Sequence, residues 1–319
     1  MTTSHRTASA ALDREAAAQT TSVTTGGPRR SNPLRDLARR NPVGLFLAIS
    51  IGITWPAQFA LLVAGQDLTP ALLLELIVLL GGATLISAWT GGRAGVRRLY
   101  AGVVKWRIGF GRFLVLLVAM PALTLLVGAV TGTLRTPPDG WVSLIQPFLL
   151  STFVVGVLLG NTWEETAWGG FVQGRLMARR GLLVGSLLTA VPFFLIHLPL
   201  AFADSGWKGT TWGQAGANWA LLAVTAVFFR YLAGTVLVDT GGSVLAIGLL
   251  HAAFNASGSM AAVPGGWQYV PAVMVLTVAV AAYRRWRGRS FTQGYAPDLA
   301  PIESTGSGSG QTGSGAPTP

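Results

Sequence analysis

Cysteine is absent from the 319 residues. That excludes disulfides, thiolate metal sites and a cysteine nucleophile. Charge is scarce as well, at 11% of residues, against about 25% in a soluble domain. Lysine is reduced to Lys105 and Lys208, and histidine to His5, His197 and His251. No His-Glu-x-x-His run, no Gly-x-x-x-x-Gly-Lys phosphate loop and no nucleophile elbow occurs, which removes the common signatures of zinc peptidases, P-loop nucleotide binding and serine hydrolases. Period-two alternation is also missing, so a transmembrane β-barrel is excluded.

What remains is apolar: 51% of the chain, with a mean hydropathy of +0.52. Long uninterrupted apolar runs in lipid must satisfy their backbone internally, and helices do this. The fold class read from this is an all-α polytopic membrane helix bundle of about eight transmembrane helices. The apolar segments run from Val43 to Ala64, Pro70 to Trp89, Phe113 to Thr131, Val142 to Trp163 with a helical continuation to Met177, Leu182 to Phe202, Trp219 to Val238, Ser243 to Ala256 and Tyr269 to Tyr283.

The net charge of +11 could suggest nucleic acid, but its placement points to the lipid bilayer as partner. Basic residues crowd the N-terminal tail, the stretch after the second segment (Arg93 to Arg112), the stretch after the fourth (Arg175, Arg179, Arg180) and the end of the eighth (Arg284 to Arg289). Arg135 and Lys208 fall opposite, and Arg230 falls inside the sixth segment. The positive-inside rule then places both termini in the cytoplasm, in a multi-pass cell-membrane protein with no nucleic-acid partner. Residues 1–41 read as a disordered basic tail with no signal-peptide h-region, 42–290 as the membrane domain, and 291–319 as a Gly/Ser/Pro tail.

Within the membrane domain, Glu164 and Glu165 adjoin a long apolar run. A carboxylate in hydrocarbon costs about 3 kcal/mol on insertion scales, and two adjacent ones oppose joint ionisation. Rise along each helix places Glu164, His197, Arg230, His251 and Asn255 about 14–22 Å from the cytoplasmic side, one inner-to-middle layer. His251 and Asn255, four residues apart, share a helix face. Each alone has an ordinary explanation: a membrane His bonded to a carbonyl, an Asn gluing helices, an Arg snorkelling to the interface. Glu75, near the outer end of its segment, fits such an explanation. Both histidines of the membrane domain share the layer of the acid pair, which favours a functional site.

A Glu beside a His can hold and deprotonate water, and a His N–H with an Asn amide can stabilise a tetrahedral oxyanion. That combination suits hydrolysis of an amide bond in a membrane-associated peptide or protein. Two His and a Glu also suit a divalent metal, a second reading of the same residues; no other cofactor is indicated. A transporter would be expected to show paired repeats, and none is visible.

Three motifs resemble those of the CPBP intramembrane proteases, which include the CAAX prenyl endopeptidases and the bacterial Abi proteins. They are Glu164-Glu165-Thr166-Ala167-Trp168-Gly169-Gly170, Phe193-Phe194-Leu195-Ile196-His197 and His251-Ala252-Ala253-Phe254-Asn255, in family order across about residues 142–256. The resemblance implies a glutamate-type endopeptidase, with a divalent metal left as an option. Glu164 would activate water with help from His197, His251 and Asn255 would form the oxyanion site, and Glu165 would support Glu164. Phe193 and Trp168 belong to the same motifs. One departure stands out: the family pattern Glu-Glu-x-x-x-Arg has Gly169 in the Arg position. Either Arg230 supplies the missing charge, or the chain is a non-catalytic scaffold, immunity or chaperone protein of the same fold.

Overall fold

The computed structural model describes residues 32–290, and the described residues contain helices and no strand. The sequence-read tails fall outside the described residues, apart from residues 32–41. There the chain forms helix α1, Pro33–Arg40, with proline at the first position and the Asn32 side chain accepting from the Leu34 and Arg35 N–H groups. This departs from the reading of residues up to 41 as tail.

The helices that follow are α2 (Pro42–Ala64), α3 (Thr69–Ala101), α4 (Phe110–Val130), α5 (Trp141–Leu159), α6 (Asn161–Ile196), α7 (Trp212–Asp239), α8 (Val244–Gly258) and α9 (Tyr269–Trp286). The first six of this series, α2 to α7, are long and apolar enough to cross a membrane. The chain is thus a polytopic helical membrane protein. Its surface agrees: Val142 and Leu158 on α5 are 78% and 62% exposed. Large apolar side chains displayed along whole helices suit lipid rather than water.

Two of these helices contain a fold-back. In α3, Gly92 has φ 58°, and Gly95 lies so close to the Ser87 carbonyl that a Cβ there would stand 2.4 Å away. In α6, Gly181 has φ 74°, and a Cβ on Gly185 would lie 2.6 Å from the Met177 backbone. Residues eight apart in a straight helix are about 12 Å apart, so both helices reverse at a glycine. These reversals separate the apolar segments where the basic residues begin.

Other boundaries differ from the sequence reading. The fourth segment is not one helix: the chain breaks at Gly160 (φ −122°, ψ −86°) between α5 and α6. The fifth ends at Ile196, because Pro199 cannot continue it and the chain tightens into a 3-10 turn over Leu198–Phe202. The sixth begins seven residues earlier than read, at Trp212, where Thr211 and Gln214 form a capping box.

Connections sort to two ends. Lys105 Nζ donates to the Gly241 carbonyl at 2.6 Å, Ser243 Oγ donates to the Lys105 carbonyl at 2.6 Å, and Asp239 pairs with Arg284 and Arg289. At the other end the Arg135 N–H donates to the Ala262 carbonyl, and Gln268 donates to Thr133. Through the middle runs the main core, in which Phe46 of α2 packs on Trp168 and Phe171 of α6.

Candidate active site

The acid pair stands on the first turn of α6, directly after the Gly160 break. Below it the helix is π-helical over Thr166–Gln173, and above the break α5 is π-helical over Leu150–Leu159. π-turns recur at functional sites, and here they flank Glu164 and Glu165 on both sides. Small residues let α8 approach this turn. A Cβ at Gly248 would lie 2.5 Å from Thr162 Oγ1, and one at Gly156 would lie 2.3 Å from Ala252 Cβ.

Glu165 is fully buried and doubly held. Arg230 Nη2 of α7 donates to both carboxylate oxygens, at 2.8 and 2.7 Å, and His251 Nδ1 lies 2.9 Å from Oε1. A carboxylate paired with a guanidinium can only accept, so the His251 Nδ1 is the donor. The Arg230 guanidinium is sandwiched 4.7 Å from the Phe193 ring centroid and 5.0 Å from that of Phe229. Aromatic faces thus take the cation where acceptors are lacking. Gln173 fixes the backbone of α7 there, donating to the Arg230 carbonyl at 2.6 Å.

Gly169 faces the same carboxylate. A Cβ at this position would stand 3.0 Å from Glu165 Oε2 and 2.7 Å from Ile247 Cδ1. A side chain at residue 169 would therefore point at Glu165, the group that Arg230 reaches from α7.

Glu164 is different: its side chain is 17% exposed. Oε1 lies 3.8 Å from His197 Nε2, and Oε2 lies 3.9 Å from His251 Nδ1. His197 is the residue at which α6 ends, and its Nδ1 bonds the Phe193 carbonyl at 2.6 Å. A carbonyl only accepts, so in the neutral ring the Nε2 lone pair is turned to Glu164. Asn255 does not touch Glu164 directly. Its Nδ2 donates to Asn161 Oδ1 at 3.4 Å, and Asn161 Nδ2 donates to Glu164 Oε2 at 3.3 Å.

The structure thus brings Glu164, Glu165, His197, Arg230, His251 and Asn255 to one place, with Phe193 and Trp168 behind them. Phe193 touches the rings of His197, His251, Phe229 and Trp168. Trp168 is fully buried and edge-on to Phe46 and Phe193. Sequence reasoning missed Asn161, Gln173 and Phe229. An Asn three residues before Glu164 shares its helix face, which was the available signal. Glu75 is 6% exposed and accepts from Gln58 Nε2 at 2.5 Å, an interhelical bond of the ordinary kind read for it.

Among the described residues no three His, Asp or Glu side chains converge as a metal-ligand set. The Nδ1 atoms of His197 and His251 and both oxygens of Glu165 are already engaged. The reaction steps below route nothing through a metal.

No curated protein matches the chain. Residues 141–257 match the family model of the Rce1-like type II CAAX prenyl endopeptidases. This segment holds every motif residue from Glu164 to Asn255, and its similarity supports a CPBP/CAAX-type, intramembrane-protease-like fold.

Proposed function

We propose that the protein is an intramembrane endopeptidase that hydrolyses a peptide bond of a membrane-associated peptide or protein by glutamate-activated water. The observation that carries this reading is the state of Glu164. It is the partly exposed acid of the pair, with one oxygen towards His197 Nε2 at 3.8 Å and the other on the Asn161–Asn255 line.

In the reaction, water donates one hydrogen to Glu164 Oε1 and is steadied by the His197 Nε2 lone pair. Its oxygen attacks the scissile carbonyl carbon while Glu164 takes the proton. The resulting oxyanion accepts from an Asn255 N–H and from His251 Nε2–H, the latter in an imidazolium whose Nδ1–H rests on Glu165. One guanidinium against two carboxylates leaves one negative charge, which that imidazolium balances. The C–N bond then breaks, and the proton on Glu164 passes to the leaving nitrogen. A carboxylic acid and an amine result.

Arg230 supports this reading over a non-catalytic protein of the same fold. The motif arginine is lost at Gly169, yet Glu165 still has its guanidinium.

The test is cleavage in proteoliposomes of two fluorogenic probes, a prenylated peptide ending in a CAAX sequence and an unmodified transmembrane peptide. Wild type should cleave at least one, and Glu164→Gln should lower kcat by about a thousandfold or more, as loss of the activating base demands. Equal activity of Glu164→Gln and wild type would end the reading.

A further inference from the structure

We infer that Asn161 is a positioning residue that ties the orientation of the oxyanion donor Asn255 to the charge of Glu164. This rests on the proposed reaction and deepens it.

Asn161 is 8% exposed and lies on the first turn after the Gly160 break. Among the described residues its amide bridges the two polar arms of the site. Nδ2 donates to Glu164 Oε2 at 3.3 Å, and Oδ1 accepts from Asn255 Nδ2 at 3.4 Å. An amide has two faces of opposite sense, an NH2 that only donates and a carbonyl that only accepts. Ionised Glu164 only accepts, so it must meet the NH2 of Asn161. That turns Asn161 Oδ1 towards Asn255, and Oδ1 in turn requires the NH2 of Asn255. One N–H of Asn255 is thereby used and the other stays in the site. Reversing either amide would place carbonyl against carbonyl or amine against amine.

The consequence is a sequence of two amides whose sense is dictated by the base. When Glu164 is charged and ready to take a proton, Asn255 presents N–H rather than C=O to the oxyanion position. The water proton arrives on Oε1, beside His197, so Oε2 still accepts from Asn161 as the oxyanion forms. Both hydrogen bonds are at the long end of the normal range, as catalytic contacts often are without substrate. Room for the arrangement comes from Gly156, where a Cβ would stand 3.0 Å from Asn161 Oδ1.

The experiment compares Asn161→Ala, Asn161→Asp, Asn255→Ala and the Asn161→Ala/Asn255→Ala double variant in proteoliposomes with the two fluorogenic peptides. Removing an oxyanion donor outright costs about 10²–10³ in kcat, and misaiming it should cost less. Asn161→Ala is expected to lower kcat by about tenfold, with KM within about twofold, since only the transition state is affected. Asn161→Asp keeps size and the acceptor but loses the donor to Glu164, and should fall at least as far. The double variant should be no more than about twofold worse than Asn255→Ala. A loss confined to KM, an unchanged kcat or multiplying losses would overturn the inference. Thermal unfolding of the same four proteins tests the link without any substrate. The melting temperature of the double variant should fall by less than the sum of the single falls, and additive falls would overturn the amide link. If Glu164→Gln matches wild type in cleavage, the reaction fails, whereas the melting comparison still decides the link. Where Asn161→Ala does not fold, the isosteric Asn161→Asp carries the same comparison against Asn255→Ala.

Discussion

Arg230 is the residue on which the stability of the site turns. Its guanidinium and the Glu165 carboxylate are both 0% exposed, so neither can fall back on solvent if the other is lost. Breaking a buried ion pair from one side costs about 3–5 kcal/mol, because the remaining charge is stranded. Arg230→Met and Glu165→Gln should each destabilise by about that amount in denaturant or thermal unfolding. The double variant should be far milder than the sum, since each single change already breaks the pair. Additive losses would mean that Arg230 is held by its aromatic neighbours and not by Glu165. At this scale the sequence was informative where a residue was out of place. A lone Arg in an apolar segment and an acid pair beside another announce themselves. Asn161 did not, because a polar residue at a segment end has an ordinary explanation, and the Gly160 break that makes it a first-turn residue was not visible. Glu75 keeps its ordinary reading as a polar group that joins helices, but its partner was not foreseen for a related reason. Depth was counted along its own helix, while its burial comes from α2, which brings Gln58 onto it.

At the scale of elements, the site is assembled by close approach. The α8 backbone comes so near the first turn of α6 that a Cβ on Gly248 would lie 2.5 Å from Thr162 Oγ1 and 2.8 Å from Thr162 Cα. The second of these atoms is backbone and cannot rotate away. Gly248→Ala must therefore push α8 off α6, an overpacking cost of about 1–3 kcal/mol. It should lower the unfolding temperature and Glu164-dependent cleavage together, because His251 and Asn255 ride on α8. Gly216 in α7 is the control: nothing lies within 4 Å of a Cβ there. Gly216→Ala should leave stability unchanged or raise it by up to about 1 kcal/mol. If Gly248→Ala behaves like Gly216→Ala, the contact does not set the site. The segment ends near Gly92 and Gly181 were legible, since basic residues cluster there, but the reversals at those glycines were not. The π-helical runs on either side of the acid pair were not. Their side chains are as apolar as those of an ordinary span, and the hydrogen-bond register leaves no mark in composition.

For the whole molecule, the charge asymmetry and the connectivity make one argument. The turns that carry Lys105, Asp239 and the basic end of α9 are hydrogen-bonded or ion-paired to one another. The turns near Arg135 and Gln268 join at the opposite end. A bundle with its arginines gathered at one end has a preferred sidedness, because Lys and Arg near short loops are retained in the cytoplasm. The helix count by length alone would not give this. Six helices pass as spans, α8 has 15 residues, and α3 and α6 each contain a reversal. Taking α5 with the first part of α6 as one span, and the part of α6 after Gly181 as the next, restores the alternation of sides that the basic residues demand. Reporter fusions after Arg112 and after Arg180 should therefore report the cytoplasm, and fusions after Arg135 and after Lys208 the exterior. The two members of each set lie on different connections, so a mistaken span between them would flip one and not the other. Glu164 follows a break on the outer side of Gly181, and His251 follows the Asp239 turn from the basic end. An opposite reading at Arg180 with the others as expected would place these two residues at different depths. That result would be incompatible with the 3.9 Å approach of His251 to Glu164, and with the site as a whole.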